Sequence, residues 1–212
     1  MISIYILDTS KLEKSDFYTL CDSLPFGQEE KIRLVSMKSS THRTESLGGL
    51  MALNELVKKA DCKKDLTIAR TSSGKPYFEK ISSLPFGISH SKGIVAAALG
   101  ESECVNIGLD IEIIDPNIRV KDIAERFFSK EEFDTLEKTQ YSPECFYSLW
   151  TAKEALSKLD GDGLASIISG QLLASKKDAF LSRRHVDIGG RRAVISIYCY
   201  ASEQPIQIFF DC

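Results

Sequence analysis

Several things are scarce in this 212-residue sequence, and each shortage removes a class of protein. The six cysteines, Cys21, Cys62, Cys104, Cys145, Cys199 and Cys212, are scattered without a single Cys-x-x-Cys pair. That spacing fits neither a zinc ribbon nor a compact disulfide framework, and it suits free thiols in a reducing cytoplasm. The longest apolar run, residues 94–99, is far too short to cross a bilayer, so no membrane partner is expected. The opening Met1-Ile2-Ser3-Ile4-Tyr5-Ile6-Leu7-Asp8 meets an acid too early for a secretory apolar core. Positive charge is not in excess: the formal net charge is −3 and the pI about 5.7. Nucleic acid is therefore not an expected partner, and any anionic ligand must be met by locally placed Lys and Arg. There is no repeat, no low-complexity tract and no linker-like stretch.

What remains is an ordinary folding composition, 43% hydrophobic and 27% charged, long enough for one large domain or two small ones. Residues 1–8 read as a strand with Ile2, Ile4 and Ile6 on one face. Helices are predicted over 29–37 and 41–59, the second carrying Leu47, Leu50, Met51, Leu53, Leu56 and Val57 at near-helical spacing. A polar, Gly/Pro-punctuated stretch occupies 70–78, and 87–93 leads as a loop into a strand over 94–99. A strand is expected over 106–114, ended by Asp115-Pro116-Asn117. Helices follow over 121–128, 130–138 and 143–159, the middle one opened by a Ser129/Glu132 capping box and the last one stopped by Asp160-Gly161-Asp162-Gly163. Strands are expected within 186–210, and a soft break near residues 100–104 separates two halves.

Two motifs carry chemistry in the second half. In Gly108-Leu109-Asp110-Ile111-Glu112 the acids stand at i and i+2, so a strand points both to one face and sends Leu109 and Ile111 to the other. Two convergent carboxylates repel unless a cation joins them, and Mg²⁺ accepts a few carboxylates together with phosphate oxygens. In Trp150-Thr151-Ala152-Lys153-Glu154-Ala155-Leu156-Ser157-Lys158, residues 150, 154 and 158 share one helix face. Glu154 is a candidate third ligand or a base, and Lys158 a candidate phosphate partner. The bland alternatives are a solvated acidic strand face and a surface Glu–Lys pair.

Candidate anion-binding groups lie in the first half. Lys31 and Arg33 sit on the first long helix, and His42-Arg43-Thr44 opens the next, beside backbone N–H groups suited to phosphate. Ser73-Gly74-Lys75-Pro76 is a turn presenting a lysine on constrained backbone. Ser89-His90-Ser91 adjoins a strand; neighbours on extended backbone face opposite ways, which disfavours Ser–His nucleophilic activation and favours donation to phosphate or adenine. Taken singly, each segment is read first as a polar turn or helix end.

Taken in order, these segments resemble the larger 4′-phosphopantetheinyl transferases, the type that activates surfactin synthetase and other peptide and polyketide synthases. The resembling stretch runs over residues 31–164 and rests on His42-Arg43-Thr44, Gly74-Lys75-Pro76, Ile88-Ser89-His90-Ser91, the Asp110-x-Glu112 strand, Arg126-Phe127-Phe128-Ser129 with Glu131, and Trp150-x-x-Lys153-Glu154-Ala155-x-x-Lys158. The resemblance implies an α+β pseudo-dimer of two similar halves, residues 1–102 and 103–212, with coenzyme A in the cleft between them and a monomer sufficing for activity. It implies Mg²⁺, with Mn²⁺ as a substitute, on Asp110, Glu112 and Glu154. Lys31, Arg43, Thr44, Ser73, Gly74, Lys75, Pro76, Ser89, His90, Ser91 and Lys158 would contact coenzyme A. Glu154 would be the general base, with Glu112 as the alternative, and Lys158 would offset charge on the pyrophosphate. The partner would be an apo acyl or peptidyl carrier protein, docked on the basic stretch Arg119, Lys121, Arg126 and Lys130 beside Phe127 and Phe128. The family's usual Asn before Ile-Ser-His is Gly87 here, and a lysine often found upstream of Lys31 is Gln28. Two rivals are another Mg²⁺-dependent phosphoryl enzyme, such as a nuclease or phosphatase, and a non-catalytic coenzyme A or carrier-binding module.

Overall fold

The alternation of Ile2, Ile4 and Ile6 is realised in the first strand, β1 (Ile2–Asp8), where all three are buried. The structure, a computed structural model, describes residues 1–12, 16–62, 65–101, 104–161, 179–201 and 203–211. The end of the predicted stop signal at Asp162-Gly163, the limit of the resembling stretch at Leu164, and Cys212 lie outside the described residues.

After β1 come α1 (Phe17–Ser23), α2 (Gln28–Ser36) and α3 (Ser40–Lys59). Next are β2 (Ile68–Arg70), β3 (Pro76–Phe78), β4 (Phe86–Ser91), β5 (Ile94–Gly100) and β6 (Ile107–Ile113). Then follow α4 (Val120–Phe127), α5 (Lys130–Lys138), α6 (Pro143–Asp160), β7 (Ala179–Ile188), β8 (Arg191–Tyr200) and β9 (Ile206–Phe210). The predicted helices stand within a residue of their expected bounds. The stretch read as polar turns contains the short antiparallel pair β2–β3, and Ser89-His90-Ser91 is strand rather than loop. These short segments escape prediction because Gly, Pro and Ser break the apolar alternation while neighbouring strands supply the ladder. The capping box at Ser129 and Glu132 is formed as expected.

Two sheets stack face to face. The first has the order β4-β5-β1-β9, the second β6-β8-β7. The strand order β4-β5-β1, with α3 between β1 and β4, has the same form as β7-β8-β6, with α6 between β6 and β7. β9 returns to pair in parallel with β1, so the last strand joins the sheet of the first half. One face of the first sheet is covered by α3 through Leu50, Leu53, Leu56, Phe86, Ala97 and Leu99. Its other face meets the second sheet, where Ile2, Ile4, Ile6, Ala96 and Ala98 pack against Ile107, Leu109, Ile111, Ile195 and Ile197. The far face of the second sheet is covered by α6, whose Ala152, Ala155, Leu156 and Leu159 cluster with Tyr198.

This layering gives β6 two different faces. Its odd-numbered residues enter the inter-sheet core, and the even-numbered Gly108, Asp110 and Glu112 turn toward α6. Gly108 permits the approach: a Cβ there would lie 1.9 Å from the Ala155 carbonyl oxygen and 2.6 Å from the Leu159 nitrogen. α6 starts with Ser142 accepting from the Cys145 amide and with Pro143 in its first turn, and ends at Gly161, whose φ of 76° suits glycine.

Candidate active site

β6 and α6 bring the expected acids into one neighbourhood at the seam with β4. Asp110 is 3% exposed, and its Oδ1 accepts from Lys158 Nζ at 2.6 Å and from Ser89 Oγ at 2.8 Å. Lys158 Nζ also donates to Ser89 Oγ at 3.1 Å. One turn back on the same helix face stands Glu154, and one strand pleat from Asp110 stands Glu112, whose Oε2 accepts from Ser91 Oγ at 2.5 Å. Thus β4 presents Ser89 and Ser91 to the two strand acids, while His90 between them turns the other way. His90 Nδ1 lies 3.2 Å from Oε2 of the buried Glu45, whose other oxygen accepts from the Gly93 amide.

The electrostatics of this cluster are unfavourable for three bare carboxylates. Burial raises Asp110, and Lys158 and Ser89 pull it back only in part. Burial likewise pushes Glu112 up to about 7, with Asp110 and Glu154 adding repulsion and Ser91 and Lys158 opposing them. Glu154 is raised by burial and by Asp110. Among the described residues the Lys158 ammonium bonds Asp110 of these three acids, and Asp110 Oδ2 is buried with no hydrogen-bond partner. Among the described residues no three Asp, Glu, His or Cys side chains stand close enough to enclose a metal as they are. The all-oxygen donor set, the mutual repulsion and the orphaned Oδ2 nevertheless fit a hard divalent cation.

A cleft of about 250 Å³ opens beside this cluster. The first half lines it with Ser73, Gly74, Lys75, Pro76 and the β4 residues Phe86–Ile88, the second with Ile107, Leu109, Ser157, Lys158 and Gly161. The turn is rigidly bonded: Thr71 N–H donates to the Lys75 carbonyl, Gly74 N–H to the Thr71 carbonyl, and Ser73 and Thr71 share a hydroxyl contact of 2.8 Å. Gly87 backs the cleft closely, since a Cβ there would come within 3.1 Å of Leu109 Cβ. The side-chain position that usually carries Asn in the resembling family is therefore tight against β6.

Other expected residues stand apart from the acids. Arg43 is half-buried, with its guanidinium 5.1 Å from the centre of the Phe17 ring, and Thr44 is half-buried beside it on α3. Lys31 Nζ donates to the Asp22 carbonyl at 2.7 Å, which ties α2 to α1 and leaves it outside the cleft. Sequence spacing gave no hint of a second, smaller cavity of about 170 Å³ lined by Arg33, Arg70, Ser46 and His90. Both arginines bond Glu30 Oε1, Arg33 at 2.6 Å and Arg70 at 2.8 Å, across 40 residues of sequence in the second case. Burial raises Glu30 and the two guanidinium groups more than reverse it, leaving the acid below its usual range.

The proposed docking stretch is partly engaged in the fold. Arg119 pairs with Asp122 and Lys130 with Asp134, while Lys121 and Arg126 are exposed. Phe127 and Phe128 are half-buried against Trp150 at ring-centre distances of 5.7 and 6.3 Å. Lys153, in the same helix motif, is fully buried and bonds both Glu132 oxygens at 3.1 and 2.8 Å, locking α6 to α5.

Residues 106–197, spanning β6 to β8, match the 4′-phosphopantetheinyl transferase superfamily. The 4′-phosphopantetheinyl transferase Sfp of Bacillus subtilis strain 168 is 33% identical over 167 residues, covering 76% of this chain and 66% of that protein. The 4′-phosphopantetheinyl transferase ffp of Bacillus subtilis is 34% identical over 184 residues, covering 77% and 74%. A further Bacillus subtilis 4′-phosphopantetheinyl transferase is 31% identical over 159 residues, covering 73% and 68%. The chain belongs to the 4′-phosphopantetheinyl transferase superfamily. Within that superfamily its similarity is to transferases of the Sfp type. Among the described residues no helix is long and apolar enough to cross a membrane.

Proposed function

We propose that this enzyme transfers the 4′-phosphopantetheine of coenzyme A to a serine of an apo acyl or peptidyl carrier protein, releasing 3′,5′-ADP. The reaction site is the cleft between two similar α+β halves, residues 1–102 and 103–212, within a single chain. The repeated strand order with one covering helix per half supports the pseudo-dimer. The observation that carries the reading is buried Asp110 at the seam, bridged by Ser89 from one half and Lys158 from the other, with one oxygen left unpartnered.

Asp110, Glu112 and Glu154 would hold Mg²⁺ or Mn²⁺, whose chemistry is to neutralise the pyrophosphate as the bond breaks. Ser73, Gly74, Pro76 and the Lys75 backbone present the nucleotide side of the cleft. Ser89, Ser91 and His90 offer donors from β4, and Arg43 and Thr44 offer a cationic group and a hydroxyl on α3. Lys31, bonded to Asp22, needs a rotamer change to join them. In the transfer the serine Oγ–phosphorus bond forms, the β-phosphorus bond to the bridging oxygen breaks, and the serine proton passes to Glu154 directly or through a water. Glu154 stands one turn before Lys158 on the helix face that meets Asp110, and burial and Asp110 raise its carboxyl in the metal-free protein. Glu112 already accepts from Ser91 and is the second choice for this role. Lys158 keeps an ammonium beside the leaving phosphates.

The carrier is proposed to dock on the exposed Lys121 and Arg126. Neutralising both should raise the carrier KM with kcat retained, and an unchanged KM refutes the docking site. The reaction itself is tested by intact-protein mass spectrometry of apo carriers incubated with enzyme, coenzyme A and Mg²⁺. One added phosphopantetheine, abolished by EDTA and by Glu154→Ala, is expected. Coenzyme A binding without any mass shift points to a non-catalytic module, and hydrolysis of phosphodiesters to another phosphoryl enzyme.

A further inference from the structure

We infer that Lys75 is a positioning residue: it straps the first half to the last turn of α6 and thereby sets Lys158 and Glu154 against Asp110. The inference rests on the transferase reading above. It departs from the expectation that the Lys75 ammonium serves as a phosphate ligand.

The Lys75 ammonium has three hydrogens, and among the described residues it donates to three acceptors inside the protein. It donates to Asn106 Oδ1 at 2.6 Å, to the Ile107 carbonyl at 2.9 Å and to the Leu159 carbonyl at 2.8 Å. The first two acceptors lie at the start of β6, three or four residues before Asp110. The third lies at the end of α6, next to Lys158. Leu159 is within the final turn, where helix carbonyls have no intrahelical partner, and a cation there also complements the helix dipole. Asn106 completes the junction: its Nδ2 donates to the same Leu159 carbonyl at 2.5 Å, and its Oδ1 also accepts from the Ile107 amide at 3.0 Å. The turn itself abuts the helix end, since a Cβ at Gly161 would lie 2.7 Å from Ser73 Oγ.

One side chain from the first half therefore fixes the register of α6 along β6. That register is what places Lys158 Nζ 2.6 Å from Asp110. Releasing the strap lets the last helical turn shift, and a displacement of about 1 Å at reacting groups costs roughly a hundredfold in rate.

The test compares Lys75→Met, Asn106→Leu and the double variant with the parent enzyme. The readouts are kcat and KM for coenzyme A in carrier modification, the Kd of 3′,5′-ADP, and hydrogen exchange at the Gly161 amide, which bonds the Ser157 carbonyl. For each single variant, kcat is expected to fall about tenfold or more, with KM and Kd staying within about twofold and Gly161 exchanging faster. The double variant should be no worse than the poorer single one, because both residues act on one carbonyl. A tenfold rise in KM and Kd at unchanged kcat would show Lys75 to be a nucleotide ligand and overturn the inference. Unchanged kcat with unchanged KM overturns it equally. If Lys75→Met fails to fold, Asn106→Leu carries the same comparison. If the parent enzyme modifies no carrier, the transferase reading falls, while the exchange measurement still decides whether the strap holds the helix end.

Discussion

Replacing Lys153 by methionine should destabilise the enzyme out of proportion to the volume removed. Lys153 is fully buried, and the Glu132 side chain opposite it is 9% exposed. Their two contacts, 3.1 and 2.8 Å, form a bidentate ionic pair, with the Phe128 ring 5.3 Å from the ammonium. Methionine fills similar space but leaves the Glu132 carboxylate facing the core with, among the described residues, its capping bond to the Ser129 amide, 2.7 Å long. Breaking one side of such a pair costs about 3–5 kcal/mol, because the surviving charge stays buried without its counter-ion. Removing the charge as well, in Lys153→Met with Glu132→Gln, keeps an acceptor for the cap and should recover roughly 2 kcal/mol or more. A total stability of about 5–15 kcal/mol leaves both variants measurable by urea unfolding followed by circular dichroism, provided the slope is unchanged. A loss below about 1 kcal/mol in the single variant, or strict additivity in the double, would refute the argument that uncompensated charge dominates.

Three further outcomes follow from the same structure. Glu112 sits at about 7 when folded against 4.5 as a free side chain, so its contribution to stability is fully present below 4.5 and is lost as pH rises through 7. Metal-free enzyme should therefore lose roughly 3 kcal/mol from this group between pH 4.5 and pH 8, and thermal melts should show the slope flattened in Glu112→Gln or by millimolar Mg²⁺. Glu154→Gln should lower kcat by about a hundredfold or more with little change in the Kd of 3′,5′-ADP; a full-rate variant would remove Glu154 as the base. Gly108→Ala should cost more than about 3 kcal/mol or prevent folding, since its Cβ would overlap the Ala155 carbonyl and no side-chain rotation relieves a backbone clash; a melting temperature within a few degrees of the parent would contradict the close packing of α6 on β6.

The Asp110-x-Glu112 spacing was enough to put both acids on one strand face, because strand side chains alternate whatever the surroundings. The i, i+4 spacing of Trp150, Glu154 and Lys158 fixed their shared helix face in the same way. The Ser129–Glu132 cap and the glycine stop at Gly161 were equally local, and they bounded α5 at its start and α6 at its end. Periodicity is a property of the chain itself, so these statements needed no tertiary knowledge.

What joins β4 to β6, and Lys75 to Leu159, was decided only by the folded arrangement. Ser89 and Asp110 are 21 residues apart, Lys75 and Leu159 are 84, and Arg70 and Glu30 are 40. No spacing rule reaches across such separations, because those pairs meet through the packing of separate elements rather than through the repeat of one element. The same reason explains Lys75: its place on a Gly-Pro turn suggested an exposed cation, and its hydrogen bonds to the start of β6 and the end of α6 carry the strap inferred above. The residue types that could serve the reaction were set by the sequence, and the tertiary contacts, which satisfy buried donors and acceptors wherever they meet, settled which are bound to one another and which face the cleft.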